Sequence, residues 1–243
     1  MPHTTKPSHR PAAAGTSAAP RSPLGRIPGW LRPGRGRLPG HRPRAAVTGG
    51  PVALRDGSEV LIRQVQPADA PLLADGFARL SDQSRRMRFL ARKDQLSAAE
   101  LRYLTDVDHH DHEALGALDQ ADGRGVGVAR YVRDAEDRHT AEIAITIVDD
   151  WQGRGLGTEL LTRLSGRARS EGIRRFTALV ADDNRAMAGL LRKMSANLVG
   201  RSPGTVEYEI TLMPPGKNTT APPAAGLGRA ASERRAELTG AGR

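Results

Sequence analysis

At 243 residues the chain is long enough for one domain with extensions, and its 37 Lys and Arg against 27 Asp and Glu give a net charge of +10. The absence of cysteine excludes disulfides, thiolate metal sites and a cysteine nucleophile. No apolar run approaches the ~20 residues of a membrane helix, and the N-terminus lacks the apolar core of a signal peptide, so a cytoplasmic protein without membrane contact is expected.

Residues 1–51 form a basic, Pro- and Gly-rich extension; the first 50 contain nine Lys or Arg, nine Pro, eight Gly and no acid. Residues 214–243 carry five Lys or Arg and two Glu. About −2 is left for residues 51–213, so the basicity belongs to the ends. Such segments bury too little apolar surface to offset their ordering entropy, and both tails are expected to be disordered. The N-terminal one could touch nucleic acid non-specifically through charge. With Trp30 as its one aromatic it offers no stacking platform for specific readout.

The domain is expected over residues 52–213. After a turn at Arg55-Asp56-Gly57, residues 59–65 (EVLIRQV) read as a strand. Pro67 opens a helix with an apolar stripe at Leu72, Leu73, Phe77 and Leu80. Residues 81–95 suggest an ordered loop or short helix, and Ser97 with Glu100 has the capping-box form. Residues 112–119 and 125–133 read as strands joined by a turn. They form an antiparallel meander with 141–148. Residues 175–181 follow as a strand reached by a right-handed crossover. Asp183 or Asn184 then caps a helix bearing Met187, Leu190, Leu191 and Met194. Residues 198–200 and 205–212 close the domain as a hairpin. The expected fold class is α/β, a mixed sheet of about seven strands with flanking helices.

Residues 141–158, AEIAITIVDDWQGRGLGT, carry the chemistry. Ile143, Ile145 and Ile147 alternate with Glu142, Ala144 and Thr146, as in a half-buried strand. Gly153, Gly155 and Gly157 then leave main-chain amides uncovered where a helix presents its own unpaired N–H groups. Leu156, Leu160, Leu161, Leu164 and Ala168 share one face of that helix, and Gly172 is placed to end it. A strand, a glycine turn and a helix N-terminus make an anion site, most naturally for phosphate. Thr158 stands where a dinucleotide fingerprint needs its third glycine, and the Lys of a mononucleotide P-loop is absent. A glycine-rich turn with no ligand is the alternative.

The pattern present is Q/R-x-x-G-x-G/A, at Gln152, Gly155 and Gly157, and with it residues 141–195, including Asn184, resemble the GNAT acetyltransferases. The phrase Leu54-Arg55-Asp56-Gly57 and residues 103–118 (YLTDVDHHDHEALGAL) are similar to the acetyltransferase domain of bacterial Pat-type protein lysine acetyltransferases. The resemblance implies acetyl-CoA as co-substrate, no metal, and a primary amine as acceptor, with protein lysine favoured. Pat-type proteins often carry a further regulatory or synthetase-like domain, which is not expected within 243 residues. The resemblance places the coenzyme pyrophosphate on the amides of Gln152, Gly153, Arg154, Gly155, Leu156, Gly157 and Thr158, with Arg154 adding charge. It sets the pantetheine arm along the main chain of Ile147 and Val148 and near Asn184, for which capping alone is an equal account.

Amine acylation needs a base, because a lysine near pKa 10.4 is neutral in roughly one molecule per few thousand at pH 7. The resemblance assigns that role to Glu142, against the alternative of a solvated strand-end carboxylate. Leu191 stands where many members have a tyrosine that protonates the leaving thiolate. Without a cysteine nucleophile, direct attack in a ternary complex is the simpler mechanism. The cluster Asp106, Asp108, His109, His110, Asp111, His112 and Glu113 matches no structural zinc spacing, and acceptor recognition or loop structure is the expectation. A small-amine acetyltransferase, an acyl-CoA-binding sensor without turnover and a basic-tail nucleic-acid binder are the alternatives.

Overall fold

The computed structural model describes residues 50–212; the predicted tails lie, beyond Gly50 and Pro51, outside the described residues. In chain order the elements are β1 (Pro51–Ala53), β2 (Glu59–Gln64), α1 (Ala70–Ala78), α2 (Asp82–Phe89), α3 (Ala98–Thr105), β3 (His112–Asp119), β4 (Gly125–Arg133), β5 (Thr140–Ile147), α4 (Leu156–Ser170), β6 (Arg175–Ala181), α5 (Arg185–Lys193), β7 (Asn197–Ser202) and β8 (Thr205–Thr211). The eight strands form one sheet in the order β1-β2-β3-β4-β5-β6-β8-β7. Every neighbouring pair is antiparallel except β5 with β6. The strand beyond the expected seven is β1, three residues folded back on β2 through Gly57 (φ +84°).

Local signals in the chain become caps. Ser97 Oγ accepts from Glu100 N (3.2 Å) while the Glu100 carboxylate accepts from Ser97 N (2.9 Å), the reciprocal capping box. Residues 81–95 contain a full helix, α2, capped by Ser81 Oγ, which accepts from Ser84 N, and ended by Leu90 in the left-handed region (φ +55°). Gly172 (φ +79°) ends α4, and the Ile173 N–H returns to the Ala168 carbonyl at 2.9 Å.

The two faces of the sheet are divided by strand alternation. On β4, Gly127, Ala129 and Tyr131 face α4, whereas Val128 and Arg130 face α1 to α3. On β5 the isoleucines at 143, 145 and 147 join the α4 core, which leaves Glu142, Ala144 and Thr146 on the helical-layer side with their cross-strand partners Val132, Arg130 and Val128. Leu156, Leu160, Leu161, Leu164 and Ala168 are all buried to 1% exposure or less. By area arguments each such leucine contributes about 2 kcal/mol. A Cβ on Gly127 would meet Leu156 Cδ2 at 3.2 Å, so this glycine lets α4 lie directly on β4.

A polar seam fastens the other end of α4. Glu113, fully buried, accepts from Gln64 Nε2 (2.9 Å) and Arg167 Nε (3.0 Å) and bonds His109 Nδ1 (2.7 Å). Burial alone would push its carboxyl up, but these partners outweigh it and hold the group below the usual range. His110 meets Glu171 at 2.6 Å, and Asp111 pairs with Arg133 (2.8 Å) and Arg138 (2.7 Å). Asp108 Oδ1 accepts from three successive amides, those of His110, Asp111 and His112. The His- and Asp-rich cluster is therefore loop structure, bonded into its neighbours. Among the described residues no group of His, Asp and Glu is arranged to hold a metal ion.

Candidate active site

The site begins where the sheet comes apart. β5 pairs with β6 through only three residues, Thr140 with Arg175, Ala141 with Phe176 and Glu142 with Thr177. Beyond Glu142, β5 stays with β4 as far as Ile147 and β6 stays with β8 as far as Ala181, so the two strands diverge. Between them opens a cleft of about 390 Å³, walled by residues 143–147 on one side and Leu179, Val180 and α5 on the other. Local alternation in the sequence carries no sign of this parting, because it depends on which partner each strand keeps.

The glycine turn covers the wide end of the cleft. Gly153 and Gly155 have φ of +77° and +99°, a conformation that favours glycine. Five consecutive amides, those of residues 153–157, have no acceptor among the described residues. A Cβ on Gly157 would lie 3.2 Å from both Ile147 Cδ1 and Leu190 Cδ2, so this glycine lets the first turn of α4 nest between β5 and α5. The Thr158 amide is turned inward to the Gly155 carbonyl (3.0 Å). Open amides, a helix N-terminus and a cleft of this length suit an elongated ligand with a phosphate group near its middle or end.

The other residues singled out in the sequence divide into those that face the cleft and those that brace it. Gln152 lines it and donates from Nε2 to the Ile147 carbonyl (3.1 Å) and Asp149 Oδ1 (3.0 Å). Asn184 lines it too, and its Oδ1 accepts from Met187 N at 3.0 Å, so helix capping is present in addition to its place on the wall. The Leu156 side chain is in the core and only its amide is presented. Arg154 is turned to Asp56 (3.1 Å), stacks 4.6 Å from the Trp151 ring centroid and donates to the Asp150 carbonyl (2.6 Å). Val148 lies past the end of β5, with its N–H given to Val126 O and its carbonyl to Trp151 N. The strand-like main chain beside the cleft therefore ends at Ile147.

Glu142 stands at the apex of the parting, on the side of α1 to α3. Around it the fold gathers residues far apart in sequence. Tyr103 and Arg88 both lie within its electrostatic reach. Burial, then repulsion from Arg130, lowers the Arg88 guanidinium to about 9, with Glu142 and Tyr103 opposing the shift; it is a cation at neutral pH. Burial is the main reason the Tyr103 phenol is raised above its ordinary value, so it is protonated there. Arg130 is 2% exposed and donates to the Leu104 carbonyl at the end of α3 (3.2 Å) and to His112 Nε2 (3.1 Å). Burial, then Arg130, pushes His112 down to about 3, so its ring is neutral. None of these four residues carries a spacing signal; only the sheet register aligns His112, Val132 and Glu142 in one row. Leu191, at the position where a phenol was sought, is completely buried in the core.

Comparison with known proteins agrees with this geometry. Residues 59–197, more than half of the chain, match the acetyltransferase (GNAT) domain family. Acetyltransferase Pat of Mycolicibacterium smegmatis is 33% identical over 178 residues, which cover 73% of this chain and 53% of that protein; the chain thus spans about half the length of this relative. The crystal structure of the GNAT domain of S. lividans PAT superposes with a TM-score of 0.64 at 31% identity, over 68% of this chain and 97% of that one. The structure of yncA, a putative acetyltransferase from Salmonella typhimurium with its cofactor acetyl-CoA, has the same fold at 20% identity (TM-score 0.52, 68% and 98% covered). The overall fold is thus what this protein shares with these solved structures, and the chain belongs to the GNAT family of acetyltransferases, whose co-substrate is acetyl-CoA.

Proposed function

We propose that this protein transfers the acetyl group of acetyl-CoA to the side-chain amine of a protein lysine, with Glu142 as the base. The observation that carries the reading is the position of Glu142 at the apex of the β5–β6 parting, one residue before the cleft wall begins at Ile143, with the open amides of residues 153–157 at the far end of that wall. Acetyl-CoA fits what is present: an elongated cleft for the arm, a helix N-terminus for the diphosphate, and glycines whose Cβ atoms would fill the cradle. Bound there, it supplies an activated thioester carbonyl.

The chain does the rest. The amides of Gly153, Arg154, Gly155, Leu156 and Gly157 form the diphosphate turn; Gln152 and Thr158 flank it, their own amides given to the carbonyls of Asp149 and Gly155. Ile147 offers strand edge to the coenzyme arm, and Asn184 flanks it. Glu142 accepts the proton that the amine must lose to become a nucleophile, reaching it directly or through one water. Arg88 and the Tyr103 phenol set the electrostatic surroundings of the carboxylate from the helical layer. Direct attack in a ternary complex needs no covalent enzyme intermediate, consistent with a chain that has no cysteine; the C–S bond breaks and CoA leaves as the thiolate, which takes its proton from water. The protein-lysine acceptor rests on the likeness to Acetyltransferase Pat and the S. lividans PAT domain.

The test is release of free CoA by the full chain from acetyl-CoA with lysine-containing proteins and, in parallel, with a panel of small amines and amino acids. Turnover on proteins that falls ~10²- to 10⁴-fold in Glu142→Gln, with acetyl-CoA binding unchanged, is the expected result. Turnover confined to small amines would replace the acceptor class, and binding without any turnover would make the protein an acyl-CoA sensor.

A further inference from the structure

Two arginines stand at the glycine turn, and the fold treats them differently. The sequence pattern points to Arg154, inside the turn, as the cation for phosphate. Its guanidinium is however spent on Asp56, the Trp151 ring and the Asp150 carbonyl, and it does not line the cleft. Arg55 does line it. Arg55 lies about a hundred residues earlier, in the turn between β1 and β2, and is brought over by a main-chain bond from its N–H to the Arg154 carbonyl (3.2 Å). Its side chain lies along the turn: a Cβ placed on Gly155 would be 3.3 Å from Arg55 Nε and 3.4 Å from its Cδ.

Arg55 is exposed, and among the described residues its guanidinium has neither a carboxylate nor a carbonyl partner. The neighbouring carboxylate, Asp56, is already committed to Ser58 and Arg154. An uncompensated cation therefore lies against the open amides of residues 153–157, on the side from which an anion would approach them. A long, planar, multi-donor group suits a diphosphate, which offers several acceptor oxygens. The pairing also gives the N-terminal hairpin a reason to be folded onto the turn, since β1 pairs with β2 through only three residues.

We infer that Arg55 is a coenzyme-binding residue that clamps the diphosphate of acetyl-CoA against the glycine turn, while Arg154 braces that turn from behind. The inference rests on the coenzyme site described under the proposed function.

The experiment is calorimetric titration of the full chain and its Arg55→Ala and Arg55→Lys variants with three probes: CoA, 3′-dephospho-CoA and S-acetylpantetheine, which carries no phosphate. Arg55→Ala should weaken CoA and 3′-dephospho-CoA by the same factor, about tenfold, the lower end for charge-assisted hydrogen bonds at an exposed site. Arg55→Lys should recover part of that loss, and S-acetylpantetheine should bind all three proteins alike. Added salt should weaken the wild type more steeply than Arg55→Ala. Unchanged affinity for CoA in Arg55→Ala, at an unaltered melting temperature, would overturn the inference. A loss seen with CoA but absent with 3′-dephospho-CoA would overturn the diphosphate assignment and move Arg55 to the 3′-phosphate. Failure of the wild type itself to bind CoA would instead remove the coenzyme site on which the inference stands.

Discussion

His112 makes the folded protein sensitive to acid in a way that can be worked out from its surroundings. A guanidinium has no lone pair to offer, so in the 3.1 Å contact with Arg130 the His112 Nε2 must be the acceptor and Nδ1 carries the proton. Protonating Nε2 would break that bond and set a second cation against Arg130. Tyr103 covers the ring at 5.1 Å, and Asp108 opposes the shift too weakly to reverse it. The folded ring therefore titrates near 3, against about 6.5 for an ordinary histidine. A depressed folded-state pKa means stability that is complete above the unfolded value and is lost on acidification. Between pH 7 and pH 5 the unfolded chain takes up this proton and the folded chain does not. The native state then loses about 2 kcal/mol, approaching ~1.4 kcal/mol per pH unit below 6.5. His112→Gln keeps an acceptor for Arg130 and cannot titrate. Urea unfolding of both proteins at pH 7 and pH 5, at fixed ionic strength, measures the difference, because groups common to both cancel. The wild type should lose about 2 kcal/mol more than the variant. Equal losses would refute the account of the neutral, buried ring.

The same surroundings yield further expectations. Arg167→Ala leaves the Glu113 carboxylate fully buried without its cation and should destabilise the fold by about 3–5 kcal/mol at pH 7 by denaturant titration. Removing both partners, as Glu113→Gln with Arg167→Met, should cost less than Arg167→Ala alone. Gly155→Ala forces a side chain into φ +99° and against Arg55; it should cost about 1–2 kcal/mol and weaken CoA binding, both measurable by calorimetry. Tyr103→Phe should lower kcat with KM for acetyl-CoA nearly unchanged, since Tyr103 stands at the Glu142 end of the cleft and the phosphate turn at the other.

How much of this was legible follows the range of each signal. Caps and turns act over a few residues, and Ser97, Glu100, Gly172 and the glycine run could be read directly. Strand alternation set the face of Glu142 correctly, because the period is two whatever the partner strand. The three-residue β1 is too short to have a period. Val148 looked like a continuation of β5, and its amide does extend the pairing with β4 at Val126, but its carbonyl turns to Trp151 N and begins the turn that the alternation could not show. Arg88 gave no signal, and Arg55 and Tyr103 stood only inside motifs of the family resemblance without a role of their own, because nothing within ten residues of each records the element it will meet. The acidic and histidine-rich loop could be read only as acceptor recognition or loop structure, because the partners that take up its charges, Arg133, Arg138, Arg167 and Glu171, lie far away in sequence.

The three-residue seam between β5 and β6 also has a mechanical meaning. On one side of it lie β1 to β5, on the other β6 to β8; α2 touches both β5 and β6, and the core shared with α4 runs beneath both. A sheet joined this briefly should behave as two leaves whose slow opening motions are only weakly correlated. A pantetheine arm laid along the free edge of β5 would restore rungs to the ladder. Hydrogen exchange at residues 143–147 and 178–181 should then slow together when CoA is added, and the leaves should open as a single cooperative unit.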